Sequence, residues 1–511
     1  MASITETAPP ALGRAGVAAV PAARWLWLAI GAAAALLSTG GRWDIAVAAW
    51  IAPVFLLRFA RTSAPAVAIA AVVAVSGAQI AGYMLETAAP FNAMTTALCL
   101  ALGAIFAVPY LLDRLLAPRL GEAGRVLLLP AATAMTEFAA ASLLPVGASI
   151  GVKAITQSET LALAQIVSLL GPYAIGFLIA LAASVANQIW ETPSRRVALR
   201  LGGALAAVML AVLGFGEARL TWAAARPAGE TVKVAGVVPP MALRAPAWSG
   251  VSMASYPPSP ATLAAVATPS MRAADAAARA ALLDGARAAA AAGARVILWS
   301  ETAAPALEAD KGPFLQQVSA LARQAGVYVD AAVGVPYARN ETFLIGPDGG
   351  QLWHYRKNHP VPGMEPVAPF ANAPPVADTP YGRLSNVICF DGDFPALARV
   401  PADILLLPGW DWPEEGYNHT MKAARLRAIE NGYSLVRVDY WGLSGAFDPF
   451  GRVLAMQDTV PGKAYAMLVD VPVKGVTTAY ARIGDAFAWL CALAVLALAT
   501  LALARPRRAG D

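Results

Sequence analysis

Three side chains suited to cysteine-dependent acyl chemistry occur in order along the chain. Glu301, Lys357 and Cys389 each follow a short strand-like run. A glutamate could accept the thiol proton, and a fixed lysine could stabilise the oxyanion of a tetrahedral intermediate. The set predicts a thioester on Cys389, which water would release in a hydrolase and an amine would release in an N-acyltransferase.

Taken singly, these residues have ordinary structural interpretations. A cysteine that ends a strand is more often a small core residue, and a glutamate or lysine beside a strand is usually solvated. The three histidines, His354, His359 and His419, form no i,i+4 pair and have no Cys-x-x-Cys partner, so we predict no metal site. The sequence also has no phosphate-binding glycine loop, and we expect no cofactor.

The composition separates this chain from soluble proteins. Hydrophobic residues make up 58% of the 511 residues, charged residues only 14%, and the mean hydropathy is +0.55. Soluble domains carry about 25% charged residues. The net charge of +5 is small, and the arginines gather at the ends of apolar runs, which argues against a nucleic-acid partner. Three cysteines cannot form a disulfide framework, and Cys99 and Cys491 lie inside apolar runs.

Eight apolar runs are candidates for membrane spans, since a helix needs roughly 20 residues to cross the hydrocarbon. They cover residues 23–40, 45–60, 64–84, 93–117, 125–147, 160–188, 197–216 and 484–504. The second run is short. More spans follow the first run directly, so we predict a retained helix rather than a signal peptide.

Arginines in alternate connections, at 58–61, 114–125 and 195–200, predict the orientation. By the positive-inside rule these connections and both termini lie in the cytoplasm. The predicted organisation is a cytoplasmic tail at 1–22, a seven-helix transmembrane domain at 23–218, an exported catalytic domain at 219–478, a transmembrane helix at 479–504 and a cytoplasmic tail at 505–511.

Strand and helix patterns alternate within residues 219–478, which predicts a layered α/β domain. The predicted strands are 232–238, 295–299, 327–334, 341–346, 351–356, 384–390, 403–408, 434–440, 444–448 and 464–471. The predicted helices are 273–292, 313–325 and 417–431, and residues 240–270 are predicted to be loop.

Four segments of this domain resemble motifs of the nitrilase, or carbon–nitrogen hydrolase, superfamily. In chain order they are residues 299–303 (Trp-Ser-Glu-Thr-Ala), 340–342 (Asn-Glu-Thr), 355–362 (Tyr-Arg-Lys-Asn-His-Pro-Val-Pro) and 419–430. Seven predicted spans before such a domain and one after it resemble the apolipoprotein N-acyltransferase family. The resemblance implies an α-β-β-α sandwich beside an all-α bundle of about eight transmembrane helices.

The resemblance also implies roles for the three residues. Glu301 would be the general base, Lys357 the oxyanion partner and Cys389 the nucleophile. The enzyme would move a fatty acyl group from phospholipid to the N-terminal amine of diacylated apolipoproteins. It would act as a monomer in the bacterial inner membrane, with its catalytic domain on the periplasmic side.

Five further positions are implied to bind substrate or to support the catalytic residues. They are Glu365, Phe390, Asp391, Trp410 and Trp412. Glu365 stands where the family has a second glutamate, and Asp391 replaces a glutamate that follows the nucleophile. The two tryptophans could line an acyl-chain entrance, although core packing explains them as well.

Departures from the family pattern cluster around the expected pocket. Residues 362–365, 389–391, 409–412 and 439–442 differ from the family motifs, and the link from Lys357 to Cys389 is shorter than usual. These differences keep open a membrane-tethered amidase, or an acyltransferase for a different amine. A non-catalytic membrane scaffold is a third possibility, against which the intact Glu, Lys and Cys set argues.

Overall fold

A computed structural model describes residues 15–504 except 90, 226–228, 244–266, 337, 363, 366, 368 and 461–464, with backbone alone for 15–22. The helices are α1 (Ala15–Leu36), α2 (Ala48–Thr62), α3 (Pro65–Glu86), α4 (Ala93–Leu116), α5 (Glu122–Leu143), α6 (Leu161–Ala164), α7 (Val167–Leu170), α8 (Tyr173–Glu191), α9 (Arg195–Ala225), α10 (Pro269–Ala291), α11 (Glu308–Ala325), α12 (Pro395–Ala398), α13 (Arg425–Asn431), α14 (Ala479–Ile483) and α15 (Ala486–Ala504). The strands are β1 (Thr231–Val238), β2 (Val296–Trp299), β3 (Ala304–Pro305), β4 (Tyr328–Val335), β5 (Arg339–Ile345), β6 (Gln351–Arg356), β7 (Val376–Thr379), β8 (Gly382–Asn386), β9 (Ile404–Trp410), β10 (Ser434–Tyr440), β11 (Leu443–Phe447), β12 (Val453–Asp458) and β13 (Tyr465–Pro472).

Six helices in the described part of the chain are long and apolar enough to cross a membrane. They are Pro65–Glu86, Ala93–Arg119, Glu122–Leu143, Tyr173–Glu191, Arg195–Ala225 and Ala486–Ala504. The count of eight spans is therefore not confirmed. Within the first predicted span, the apolar stretch that the structure describes, Ala23–Leu36, is shorter than a full membrane span. Within the second, helix α2 has only 15 residues and carries an arginine in its last turn.

The predicted span 160–188 is not continuous, and the structure corrects it. Helices α6 and α7 are each four residues long, and α8 begins only after Gly171 and Pro172. Gly171 has a φ of +79°, and a Cβ there would lie 2.5 Å from the ring of Tyr480. A left-handed glycine followed by proline breaks the helix and admits the tyrosine ring.

Two sheets form the domain that is predicted to be catalytic, and they face each other. The first has the order β13-β1-β2-β4-β5-β6, with β3 beside β4, and the second has the order β12-β11-β10-β9-β8-β7. Leu298, Leu406 and Val436 lie in the core between the sheets. Ile297 and Trp299 point the other way, toward α11, because successive strand residues face opposite sides. The predicted α-β-β-α sandwich is confirmed.

The helical layer on the second sheet is buried on both of its sides. It consists of a π-helical segment, Asn418–Ala424, followed by α13. Met421 and Ala428 pack on the sheet, whereas Leu426 and Ile429 pack with α7, α8 and α15. The catalytic domain therefore uses this layer to sit directly on the membrane helices.

Several predicted boundaries of the domain are wrong. Helix α9 continues to Ala225, so the domain begins after the predicted residue 219. Strand β8 ends at Asn386 rather than at residue 390, because its pairing with β9 stops there. The strands β7 and β12 were not predicted, since β7 follows a proline-rich stretch and the outer strand β12 is largely exposed. The tails, at residues 1–14 and 505–511, and most of the predicted loop 240–270 lie outside the described residues.

Candidate active site

The backbone around Cys389 is strained. Cys389 begins a short 3₁₀ turn, Cys389–Asp393, after β8, and its φ is +47°. Four non-glycine residues in the described part of the chain have positive φ, and two others, Thr302 and Trp441, stand just beyond the ends of β2 and β10. Such conformations cost about 1–3 kcal/mol each and cluster at functional sites. The strained residues Cys389, Thr302 and Trp441 therefore make this edge of the two sheets a candidate functional site.

The thiol of Cys389 lies in an enclosed place. The residue is 5% exposed, and Sγ is 4.0 Å from the carbonyl oxygen of Trp410. Burial raises the pKa of Cys389 well above its usual value, and the negative charge of Glu301 adds to this, while Lys357 opposes it. The resting thiol is therefore protonated, so a base must remove its proton.

Glu301, which the resemblance implies to be the general base, is buried at the same edge of the two sheets. It follows β2, is 1% exposed, and Oε1 accepts hydrogen bonds from Asn340 Nδ2 at 2.6 Å and Lys357 Nζ at 2.8 Å. Its backbone N–H donates to the carbonyl of Gly409 at 3.2 Å, which joins the first sheet to β9 of the second. The contact holds the carboxylate at the edge where Cys389 lies.

Lys357 bridges two carboxylates. Its Nζ donates to Glu301 Oε1 at 2.8 Å and to Glu365 Oε1 at 2.5 Å, and the side chain is 1% exposed. Burial lowers the pKa of Lys357 and is the largest single influence. The thiolate form of Cys389 and the carboxylates of Glu301 and Glu365 favour the ammonium ion and outweigh burial, so the pKa of Lys357 lies well above its usual value. Lys357 is thus a permanent ammonium ion beside the thiol.

Glu365 lies on the other side of that ammonium ion. Its Oε2 accepts a hydrogen bond from the backbone N–H of Val361 at 3.1 Å. Burial and the nearby charge of Glu301 raise the pKa of Glu365 to about 7, although Lys357 acts against them. Near neutral pH, the net charge of the cluster formed by Glu301, Lys357 and Glu365 therefore changes as Glu365 gains or loses its proton.

Asp391 connects the loop that follows Lys357 to the turn Cys389–Asp393. Its buried carboxylate accepts hydrogen bonds from the backbone N–H groups of Asn358 at 3.1 Å, His359 at 2.8 Å and Ile388 at 3.3 Å. The hydroxyl of Tyr355 donates to it at 2.9 Å. Asp391 is therefore placed as a positioning residue between Lys357 and Cys389.

The three predicted aromatic residues take different places. Phe390 packs edge-on against Phe394, with ring centroids 5.3 Å apart. Trp410 ends β9 and packs edge-on against Tyr440 at 5.7 Å. Trp412 instead donates its indole N–H to the carbonyl of Thr87, just after membrane helix α3. Phe390 and Trp410 lie beside Cys389, and Trp412 connects the domain to the helices.

An ionic cluster that the sequence did not reveal lies next to the cysteine turn. His419 Nδ1 is 2.8 Å from Asp411 Oδ1, and His419 Nε2 is 3.3 Å from Asp393 and 3.2 Å from Glu415. Burial lowers the pKa of His419, but the three carboxylates outweigh it and raise that pKa well above its usual value. The imidazolium ion thus joins Asp411 and Glu415, which shortly precede it in the chain, to Asp393 of the cysteine turn.

The same cluster reaches a membrane helix and the nucleophile. The hydroxyl of Tyr83 on α3 donates to Glu415 at 2.5 Å, and Arg437 pairs with Asp411 at 2.6 Å. Both Asp411 and Arg437 influence the pKa of Cys389. Glu415 and Asp411 lie only four and eight residues before His419, so the acidic residues that precede the helix motif at 419–430 were the available signal.

Replacing Asp391 by asparagine should loosen the site. The amide would present an N–H₂ group to backbone donors, and each buried donor left unpaired costs about 1–3 kcal/mol. We expect a lower melting temperature and a thioester that forms at least about tenfold more slowly, measured by single-turnover acylation. Tyr355→Phe is the matched control because it removes one donor and keeps the carboxylate. Wild-type acylation by Asp391→Asn would show that this carboxylate does not position the lysine and cysteine.

Comparison with known proteins shows what this chain is similar to. Residues 262–474 match the carbon-nitrogen hydrolase family model. An apolipoprotein N-acyltransferase from Bradyrhizobium diazoefficiens is 29% identical over 379 residues, covering 66% of each chain. Deaminated glutathione amidase from Mus musculus is 28% identical over 191 residues, covering 31% of this chain and 59% of its own. A solved amidase from Nesterenkonia sp. has 17% identity and a TM-score of 0.38, and covers 51% of this chain and 95% of its own.

The chain spans no more than two thirds of the length of these two sequence relatives. The match to the acyltransferase covers more of this chain than the hydrolase domain alone and so extends beyond that domain. This chain therefore carries a carbon–nitrogen hydrolase domain and is a homologue of the apolipoprotein N-acyltransferases.

Proposed function

We propose that this protein is an N-acyltransferase that moves a fatty acyl group from a phospholipid, through a thioester on Cys389, to the N-terminal amine of diacylglyceryl-cysteine lipoproteins. The observation that carries the proposal is a buried Glu, Lys and Cys site whose surrounding loops are bonded directly to membrane helices. A lipid donor and a lipid-anchored acceptor both reside in the bilayer, so a site fixed against these helices suits them.

In the first half-reaction, Glu301 takes the proton from Cys389 Sγ as the sulfur attacks the ester carbonyl carbon of the donor. The oxyanion that forms is stabilised by the ammonium group of Lys357. The carbon–oxygen bond then breaks, and Glu301 returns the proton to the departing alkoxide. The products are a lysophospholipid and an acyl thioester on Cys389.

In the second half-reaction, the acceptor amine attacks the thioester carbon and Glu301 takes one of its protons. Lys357 again stabilises the oxyanion. The carbon–sulfur bond breaks as the amide forms, and the proton returns to the sulfur. Glu301 therefore acts as base and acid in both halves, while the charge of Lys357 does not change.

Loading with labelled phospholipid tests the proposal against its alternative. Purified protein should form a labelled adduct on Cys389 that persists without acceptor and transfers its label to a diacylated lipopeptide with a free N-terminal amine. Rapid release of free acid would indicate hydrolysis instead. The amidase among the sequence relatives and the changed residues 409–412 favour, as second candidate, a membrane-tethered amidase or an acyltransferase for a different amine. Absence of any phospholipid-derived adduct would contradict the lipid donor.

We further propose that the protein lies in the bacterial inner membrane, with the catalytic domain on the periplasmic side. The arginines at 58–61, 114–125 and 195–200 support this orientation. Reporter fusions at about residues 60, 120 and 195 should behave as cytoplasmic, and fusions at about residues 230 and 478 as exported. A cytoplasmic signal at residue 230 would place the site on the wrong face for this function.

A further inference from the structure

An open cleft of about 590 Å³ lies where the last membrane helix meets the catalytic domain. It is enclosed by α14, the first two turns of α15 and the residue that follows α12. The side chains that matter are Arg399, Arg482, Asp485, Trp489, Leu490 and Leu493. None of the proposed catalytic residues lines it, so it is separate from the site described above.

The upper part of the cleft carries a net positive charge. Arg399 Nη1 is 3.2 Å from Asp485 Oδ2, and the hydroxyl of Tyr480 donates to Asp485 Oδ1 at 2.8 Å. Asp485 is thus already engaged by two donors. Arg482 is exposed and has no ion pair among the residues that the structure describes. One cation therefore remains to meet an anion that enters the cleft.

The Arg399 guanidinium packs against Gly484, where a side chain would not fit. The φ of Gly484 is +57°, and a Cβ there would lie 2.5 Å from Arg399 Nη1. The absence of a side chain lets the guanidinium lie against the backbone of Gly484 in the upper part of the cleft. The position of Arg399 is therefore built into the fold rather than left to a flexible side chain.

The lower wall of the cleft is apolar and faces the membrane. Trp489, Leu490 and Leu493 lie on α15 and are 61%, 63% and 61% exposed. Helix α15 is one of the six helices long and apolar enough to cross a bilayer, so in a bilayer these exposed side chains would meet lipid. Tryptophan is enriched at the level of lipid headgroups, where its ring meets both phases. Cations thus lie above an apolar wall at the membrane boundary.

We propose that this cleft binds a glycerophospholipid with an anionic headgroup, taken from the leaflet nearer the catalytic domain. The headgroup phosphate would meet Arg482 and Arg399, and the acyl chains would lie along Trp489 and Leu493. A free phosphate would use only the upper part and would leave the apolar wall exposed. The apolar wall is therefore the reason to propose a lipid, rather than a free phosphate, as the ligand.

The bound lipid would touch the segment that carries the nucleophile. The turn Cys389–Asp393 is followed by α12 and then by Arg399, so the guanidinium stands ten residues from the thiol along a short, ordered stretch. The lipid is a structural partner here and is not the acyl donor. The inference therefore stands whether or not the proposed acyl transfer is correct.

The test is lipid binding to the delipidated full chain, counted by native mass spectrometry. The ligands are phosphatidylglycerol, phosphatidylcholine and glycerol phosphate. We expect phosphatidylglycerol to bind more tightly than phosphatidylcholine, and glycerol phosphate to bind far more weakly than either. Arg482→Gln should weaken phosphatidylglycerol binding about fivefold, the effect of losing roughly 1 kcal/mol from one surface arginine. Arg482 forms no ion pair with any residue in the described part of the chain, so this variant should fold.

Arg287→Gln is the matched control, because Arg287 is an exposed arginine on α10 and changes the net charge equally. Leu493→Ala should weaken both phospholipids and leave glycerol phosphate unchanged. Equal binding of the two phospholipids that Arg482→Gln does not alter would overturn the proposal. So would an equal loss in Arg287→Gln, or glycerol phosphate binding as tight as that of the lipid.

Discussion

Replacing Cys389 by alanine is expected to abolish both the acyl adduct and acyl transfer. No other thiol in the described residues lies near Glu301 and Lys357, since Cys99 and Cys491 are buried in membrane helices. Loss of the nucleophile in a concerted catalytic set costs roughly 10⁴-fold or more in rate. The measurement is intact-mass analysis after incubation with phospholipid, together with transfer of label to a lipopeptide.

Two variants control for damage to the fold. Cys491→Ala removes a buried thiol on α15 and should acylate normally. Cys389→Ser keeps the size of the side chain, but its hydroxyl is far less acidic than a thiol, so we also expect no turnover. An acyl adduct that still forms in Cys389→Ala would end the thioester mechanism.

Variants of Glu301 and Lys357 should distinguish the role of the general base from that of the oxyanion partner. Glu301→Gln keeps an Oε1 that can accept from Asn340 and Lys357, but it cannot take the thiol proton. Thioester formation should therefore stop while the fold persists. Lys357→Met should slow acylation by roughly 10²–10³-fold or more, the range for one preorganised oxyanion donor. Both rates are measured by single-turnover loading of Cys389.

The lysine variant has a second expected consequence. Without the ammonium group, Glu301 and Glu365 face each other with no cation between them. One of them would then keep a proton at neutral pH, and the base would weaken further. Lys311→Met is the control, because Lys311 forms a comparable contact of 2.7 Å with the buried Glu341 beside the same sheet. Acylation of either site variant at the wild-type rate would remove that residue from the mechanism.

The meeting of Glu301, Lys357 and Cys389 could be predicted because each lies in a short segment at a strand end, in the order that the resemblance to the nitrilase superfamily implies. Each residue follows a strand, and β2, β6 and β8 end at the same edge of the facing sheets. The alternation of strands and helices predicted a layered α/β domain, and the resemblance implied the α-β-β-α sandwich. These features depend on side chains close together in sequence, which is the information that a periodicity carries.

Other features depend on distant contacts and could not be predicted. The end of β8 is set by pairing with β9 and by the left-handed conformation of Cys389. The break at Gly171 is set by a ring more than 300 residues later, that of Tyr480. The cluster around His419 is completed by Asp393 and by Tyr83, which is 332 positions from its partner Glu415. Trp412 bonds to Thr87 across 325 positions, and no local pattern contains that pairing.

The doubly buried helical layer constrains how this chain can evolve. Lys422 in the π-helical segment is 3.0 Å from Asp44 and 3.4 Å from the carbonyl oxygen of Gly40, both in the loop after α1. Removing one partner of a buried charge pair costs several kcal/mol, whereas replacing both can be neutral. Substitutions at Asp44 and Lys422, 378 positions apart, should therefore be tolerated mainly in pairs. The membrane helices and the catalytic domain would then evolve as one unit. A catalytic domain exchanged between distant relatives would lack the matching loop after α1, which carries the partner of Lys422.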